Sequence, residues 1–115
     1  MGIRTLFALL IGSVTLSALP AADTSVSYPA KPGAGHGRHV VFLAGDEEYR
    51  SEEGLPMLAK ILSQRHGFKC TVLFSVAEDG TIDPKSSKSL SNPTALDTAD
   101  AVVMLLRFRA WPDQD

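Results

Sequence analysis

The 115-residue chain has one cysteine, one tryptophan, a formal charge of only −2 and 7% aromatic residues. A single cysteine excludes an intrachain disulfide and any cysteine-based metal knuckle. The near-neutral balance, with no basic stripe and no interleaved stacking aromatics, excludes a nucleic-acid-binding surface. No GxxxxGK[ST] loop occurs anywhere. The glycine-rich Gly33-Ala34-Gly35-His36-Gly37 precedes a strand instead of following one, so it fails as a dinucleotide fingerprint. No uncharged apolar run reaches the ~18 residues that a membrane span needs.

The longest such run, 6–16, follows Arg4 and precedes Ala18-Leu19-Pro20-Ala21-Ala22, which has the small residues of a cleavage region. Residues 1–22 are therefore read as a signal peptide for export to the periplasm or exterior, with an uncleaved anchor as the rival. Residues 23–38 carry Pro29, Pro32 and three glycines without apolar periodicity, and read as a flexible linker.

The informative stretch is 39–74. His39-Val40-Val41-Phe42-Leu43-Ala44 is a short apolar run of the kind found in buried strands. Gly45-Asp46 ends it, and a polar turn follows. Leu55, Leu58, Ala59 and Leu62 then repeat at helical spacing. Ser51 is the expected N-cap, Glu52 and Glu53 suit the positive end of the helix, and Gly67 is the expected stop. Cys70-Thr71-Val72-Leu73-Phe74 is a second apolar strand. Strand, helix and strand in this order predict a βαβ unit with parallel strands. Cys70 opens its strand away from the carboxyl ends and reads as a buried, inert thiol.

Residues 75–100 form a long polar connection, expected to be a functional or mobile loop, with a short helix beginning at Pro93 behind Asn92. Ala101-Val102-Val103-Met104-Leu105-Leu106 is apolar throughout and has the composition of an interior parallel strand covered on both faces. Pro112 and the acidic residues after it look like the start of another helix. The fold expected is α/β, a flavodoxin-like parallel sheet truncated after the third strand, in the order 2-1-3.

In such a sheet a ligand sits outside the strand carboxyl ends, at the switch point between the first and third strands. Gly45, Asp46, Glu47, Glu48 and Tyr49 after the first strand, and Arg107 and Arg109 after the third, would meet there. Acidic and guanidinium groups facing one crevice suit a hydroxyl-rich or carboxylate ligand. The alternative is structural: Glu47, Glu48, Glu52 and Glu53 as a solvated turn and helix-dipole partners, with the arginines balancing them. Asp46, directly at the strand end, is the residue expected to depart from that alternative. Adjacent carboxylates converge poorly on a metal, and His36, His39 and His66 are not placed as ligands or bases, so no metal and no cofactor is expected.

The run from His39 to Glu53, with Leu55-Pro-Met-Leu-Ala-Lys-Ile-Leu and Arg65-His-Gly-Phe, resembles the start of a ThuA-like (trehalose-utilisation-type) domain. Asp79-Gly-Thr-Ile-Asp, Ala95-Leu-Asp-Thr-Ala-Asp and Arg107-Phe-Arg with Pro112-Asp resemble its next segments. The resemblance spans 39–115 and implies the class I glutamine amidotransferase-like fold, a link to carbohydrate metabolism and a sugar-like ligand. It carries over Gly45, Asp46, Glu47, Glu48, Tyr49, Arg107 and Arg109 as pocket residues. The nucleophile elbow and later histidine of that family have no counterpart here. Three functions are thus weighed: the N-terminal fragment of an exported ThuA-like protein, inactive alone; a non-catalytic carbohydrate-binding or interaction module; and an amidotransferase-like enzyme lacking its nucleophile. On the fragment reading, the third strand becomes an open apolar edge, and the isolated chain is expected to be molten or aggregation-prone.

Overall fold

The computed structural model describes residues 24–112. The expected signal segment 1–22 and most of the helix start expected after Pro112 lie outside the described residues. The elements are β1 (Val26–Tyr28), β2 (His39–Gly45), α1 (Ser51–His66), β3 (Lys69–Phe74), a 3-10 helix (Pro93–Thr98) and β4 (Ala101–Leu106). They build one mixed α/β sheet in the order β1-β3-β2-β4. β2 runs parallel to both β3 and β4, whereas β1 is antiparallel to β3.

β2 is buried at every residue because it lies at the centre of the sheet with both faces covered. Successive side chains alternate between the faces. Val40, Phe42 and Ala44 pack with Cys70, Val72 and Phe74 of β3 under Leu55 and Ala59 of α1. Val41, Leu43 and Leu73 face the other way, where Leu90, Leu96 and Trp111 cover them. Phe42 is fully buried, and truncating it to alanine should cost about 3–5 kcal/mol. α1 stops at Gly67, whose φ of 78° is the left-handed conformation that glycine adopts without penalty. Phe68 folds back against the α1-side core, as expected.

Three expectations are corrected. The segment 23–38 is not simply a linker, since it supplies β1 and then closes the end of α1. Gly35 N–H donates to His66 O at 2.6 Å, Gly37 N–H to Gly67 O at 2.8 Å, and Lys31 N–H to Ser63 O at 3.3 Å. These bonds satisfy carbonyls that the helix end leaves unpaired. A Cβ on Gly33 would meet the His66 carbonyl carbon at 2.6 Å, so this glycine serves close backbone contact. The sheet is therefore four-stranded and mixed, not three-stranded and parallel.

Ser51 is the first helical residue, not the cap; Arg50 holds the cap position at φ 53° and makes no capping side-chain bond. The short helix expected at Pro93 behind Asn92 is present as a 3-10 stretch, with Asn92 in the cap position, in the left-handed region, and no capping bond from its side chain. Finally, β4 is an edge strand and is largely exposed, which agrees with the open apolar edge expected for it and departs from the cover on both faces that its composition predicts. Edge position is set by which neighbours pair with it, not by its own residues.

His39, assigned no role by its place in the sequence, ties the amino-terminal end of the sheet together. Its buried ring reaches Thr98 O (3.2 Å) and Thr98 Oγ1 (3.0 Å) through Nδ1, and Thr71 Oγ1 (2.8 Å) through Nε2. Thr71 Oγ1 lies 3.4 Å from Ser27 Oγ. The backbone N–H of His39 donates to Asp100 Oδ2 at 2.6 Å. This network spans β1, β3, β2 and the approach to β4.

Candidate functional site

The parallel register ends with Gly45 beside Leu106, and Arg107 N–H donates to Gly45 O at 3.0 Å. The two segments singled out in the sequence thus leave the sheet side by side. A Cβ on Gly45 would meet Leu106 Cδ2 at 2.8 Å, Arg109 Cγ at 3.1 Å and Trp111 Cη2 at 3.1 Å. Glycine here allows the chain after β4 to cross over the end of β2.

Asp46 is only 5% exposed, and its carboxylate shapes the turn. Oδ1 accepts N–H bonds from Glu48 (3.0 Å) and Tyr49 (3.1 Å). Its backbone N–H donates to Ser51 Oγ at 2.8 Å, and that hydroxyl donates to Asp46 O at 3.0 Å. Ser51 therefore closes the loop from inside the first turn of α1. Asp46 is a positioning group for its neighbours, a role that aspartate takes readily at turns.

Arg109 is the second inward group, with a side chain 5% exposed. Its Nε donates to Ser75 Oγ (3.2 Å), Nη1 to Arg107 O (3.0 Å), and Nη2 to Glu47 Oε2 (2.9 Å) and Pro84 O (2.6 Å). One guanidinium thus joins the ends of β2 and β3, the polar connection at Pro84, and its own strand exit. The planar five-donor fork of arginine makes this possible where a lysine would not. Glu47 is held below its ordinary value of 4.5, first by a hydrogen bond from its own backbone, against some desolvation, and then by Arg109 and Arg107.

Glu48 and Arg107 face outward and form an ion pair. The Arg107 guanidinium carbon lies 5.0 Å from the centre of the Phe108 ring, within cation–π range. Phe108 is 82% exposed and Tyr49 is 74% exposed, and each is the chain neighbour of one member of the pair. Phe108 also has φ 49°, a left-handed conformation that is uncommon for a bulky residue and turns the ring out from the strand end.

The seven residues divide into two layers. Gly45, Asp46, Glu47 and Arg109 form an inner clamp, with Asp46 Oδ1, Glu47 Oε2 and the Arg109 guanidinium bonded to protein. Glu48, Tyr49 and Arg107 form an outer rim that a ligand can reach. Phe108 in the rim, and Ser75 and the Pro84 carbonyl in the clamp, were not legible in the sequence; Phe108 alone carried a signal, as an aromatic between the two arginines.

An ionised Glu47 is a poor proton donor or acceptor near neutrality, since general acid–base work needs a pKa close to the working pH. Cys70 lies at the amino end of β3, and burial pushes its thiol up to about 11, the reverse of an activated nucleophile. Among the described residues, no group of three or more His, Cys, Asp or Glu is placed to hold a metal ion. No helix among them is long and apolar enough to cross a membrane. No family model matches the chain, and no curated protein or solved structure matches it significantly.

Proposed function

We propose that the chain is a ThuA-like unit, the N-terminal part of an exported protein linked to carbohydrate metabolism, which binds a hydroxyl-rich small molecule at the carboxyl ends of β2 and β4. The finer fold that goes with this reading is flavodoxin-like, with the antiparallel β1 added beside β3. Support comes from the order of the resembling segments and from β2 lying between two parallel neighbours, β3 and β4. In open α/β sheets ligands sit outside the carboxyl ends of such neighbouring parallel strands.

One observation carries the binding role: the outward Glu48–Arg107 pair with the exposed rings of Tyr49 and Phe108 beside it. Carboxylate and guanidinium bond hydroxyls in complementary directions, and aromatic faces pack against the apolar faces of sugar rings. The reading is recognition without catalysis by this unit, because the inner carboxylates are engaged in the turn and the clamp.

The test is an amide NMR titration of the chain with trehalose and with a monosaccharide. Shifts confined to residues 47–50 and 107–110, and lost in Glu48→Gln/Arg107→Met, are the expected result. No perturbation at about 10 mM, tenfold above a millimolar Kd, would overturn it. Export has its own test, since the apolar run behind Arg4 places the mature start near Asp23. Mass spectrometry of the protein from its native host should find that species; an intact Met1 form as the main product would reject export with cleavage.

A further inference from the structure

The long polar connection between β3 and β4 frames a cavity that the strand-end rim does not use. Its backbone is tied down along its length. Val76 N–H donates to Ser89 O (3.1 Å), Ala77 N–H to Thr81 O (2.9 Å), Asp83 N–H to Ser75 O (3.0 Å) and Ser91 N–H to Phe74 O (2.8 Å). The chain after β4 adds two clasps, from Ala110 N–H to Ser87 O at 2.8 Å and from Arg109 Nη2 to Pro84 O at 2.6 Å. The cavity held between these segments measures about 350 Å³, at the small end of the ~300–1,000 Å³ range of small-molecule sites.

Its lining is polar and carries both signs. The segment 85–89 brings donors, the ammonium groups of Lys85 and Lys88 with three serine hydroxyls between and beside them. Glu78, on the turn closed by the Val76–Ile82 bridge, and Asp83 bring carboxylates. Asp83 Oδ1 accepts the Lys85 backbone N–H at 3.0 Å, which leaves Oδ2 open. Among the described residues, none of these four charges belongs to an ion pair and none of the three hydroxyls bonds protein. At the rim and clamp the rule is the reverse, since Arg50, Arg107 and Arg109 each hold a carboxylate. Opposite charges that line one cavity without meeting are complementary to a ligand that bridges them.

We infer that this cavity binds a zwitterionic small molecule, a free amino acid or a short peptide. Its carboxylate sits on Lys85, Lys88 and the serine hydroxyls, and its ammonium group on Glu78 and Asp83. The balance of charge selects this class. A simple anion drawn to the two lysines would also face the two carboxylates, and a simple cation would meet the converse. A molecule with both charges gives each wall its complement, and charge-assisted bonds are the strong ones. The site lies beyond the sugar reading of the rim and does not depend on it.

The test is a set of amide NMR titrations of the full chain with glycine, diglycine, acetate and methylammonium, each to about 10 mM, tenfold above a millimolar Kd. The expected result is that glycine or diglycine shifts the amides of 76–89, whereas acetate and methylammonium shift them far less. A response to glycine marks an amino-acid site, and a response to diglycine alone marks a peptide site. Lys85→Met/Lys88→Met and Glu78→Gln/Asp83→Asn should each weaken binding by about tenfold or more, the loss of a charge-assisted bond, with circular dichroism unchanged. If a variant misfolds, the four titrations of the unsubstituted chain decide. No shift in 76–89 with either zwitterion would overturn the inference. So would a response to acetate or methylammonium as large as that to the zwitterions, which marks a site for one charge only. The sugar reading is judged on separate resonances, those of 47–50 and 107–110, so either can fail alone.

Discussion

Removing the Arg109 guanidinium isolates the contribution of the inner clamp. Arg109→Ala deletes four hydrogen bonds from one nearly buried side chain. Bonds to charged groups contribute about 1.5–3 kcal/mol each, but they share one donor group and do not add. The Glu47 side chain is 37% exposed and rehydrates once released, which lowers the loss. The buried Ser75 hydroxyl cannot do so as easily, and the Pro84 and Arg107 carbonyls lose a charged donor. A destabilisation of about 2–4 kcal/mol results, against roughly 5–10 kcal/mol for a domain of this size. Arg109→Lys keeps the charge without the fork and should recover about half. Trp111 is the only tryptophan and packs over Leu43 and Leu73 two residues beyond Arg109, so its emission reports the site directly. Urea unfolding followed by that emission and by circular dichroism gives both local and global loss. A change in stability below about 0.5 kcal/mol in Arg109→Ala would refute the clamp, because a change that small is typical of surface substitutions.

Two glycines should respond with opposite signs: Gly33→Ala forces backbone apart and should cost about 1–3 kcal/mol, whereas Gly54→Ala, on an exposed face of α1 with nothing near its Cβ, should stabilise by about 0.5–1 kcal/mol. Thermal melts of both variants check this. His39→Leu removes the ring that joins Thr71 to Thr98 and should cost about 2–3 kcal/mol, read as a lower urea midpoint, with early loss of amide protection in β1. Glu47 supports the fold in its charged form: its contribution is complete above the unfolded value of 4.5 and is lost as pH falls through its lower folded value. Stability should therefore fall below about pH 5, and Glu47→Gln should flatten that slope.

The unit from His39 to Phe74 was decided by the sequence alone. Continuous apolar runs specify strands covered on two faces, 3.6-residue periodicity specifies the helix between them, and Gly67 stops it, because each signal acts over a few neighbouring residues. The adjacency of β2 and β4 was expected from the 2-1-3 order of a flavodoxin-like sheet and not from local signals, since the crossover helix α1 joins β2 to β3. β1 escaped because three residues are too few to show an alternation, and its partners Cys70 to Val72 lie 42 to 46 residues away. The glycines before β2 looked like linker, because a residue chosen for close backbone contact is the same residue that confers flexibility. Composition likewise could not divide the acidic turn into clamp and rim. Glu47 and Glu48 are adjacent and chemically equal, and only the path of the chain after β4 assigns the inward arginine to one and the outward arginine to the other. The exposure of β4 is tertiary for the same reason: six apolar residues state that a strand should be covered, and the neighbours in the sheet decide whether it is.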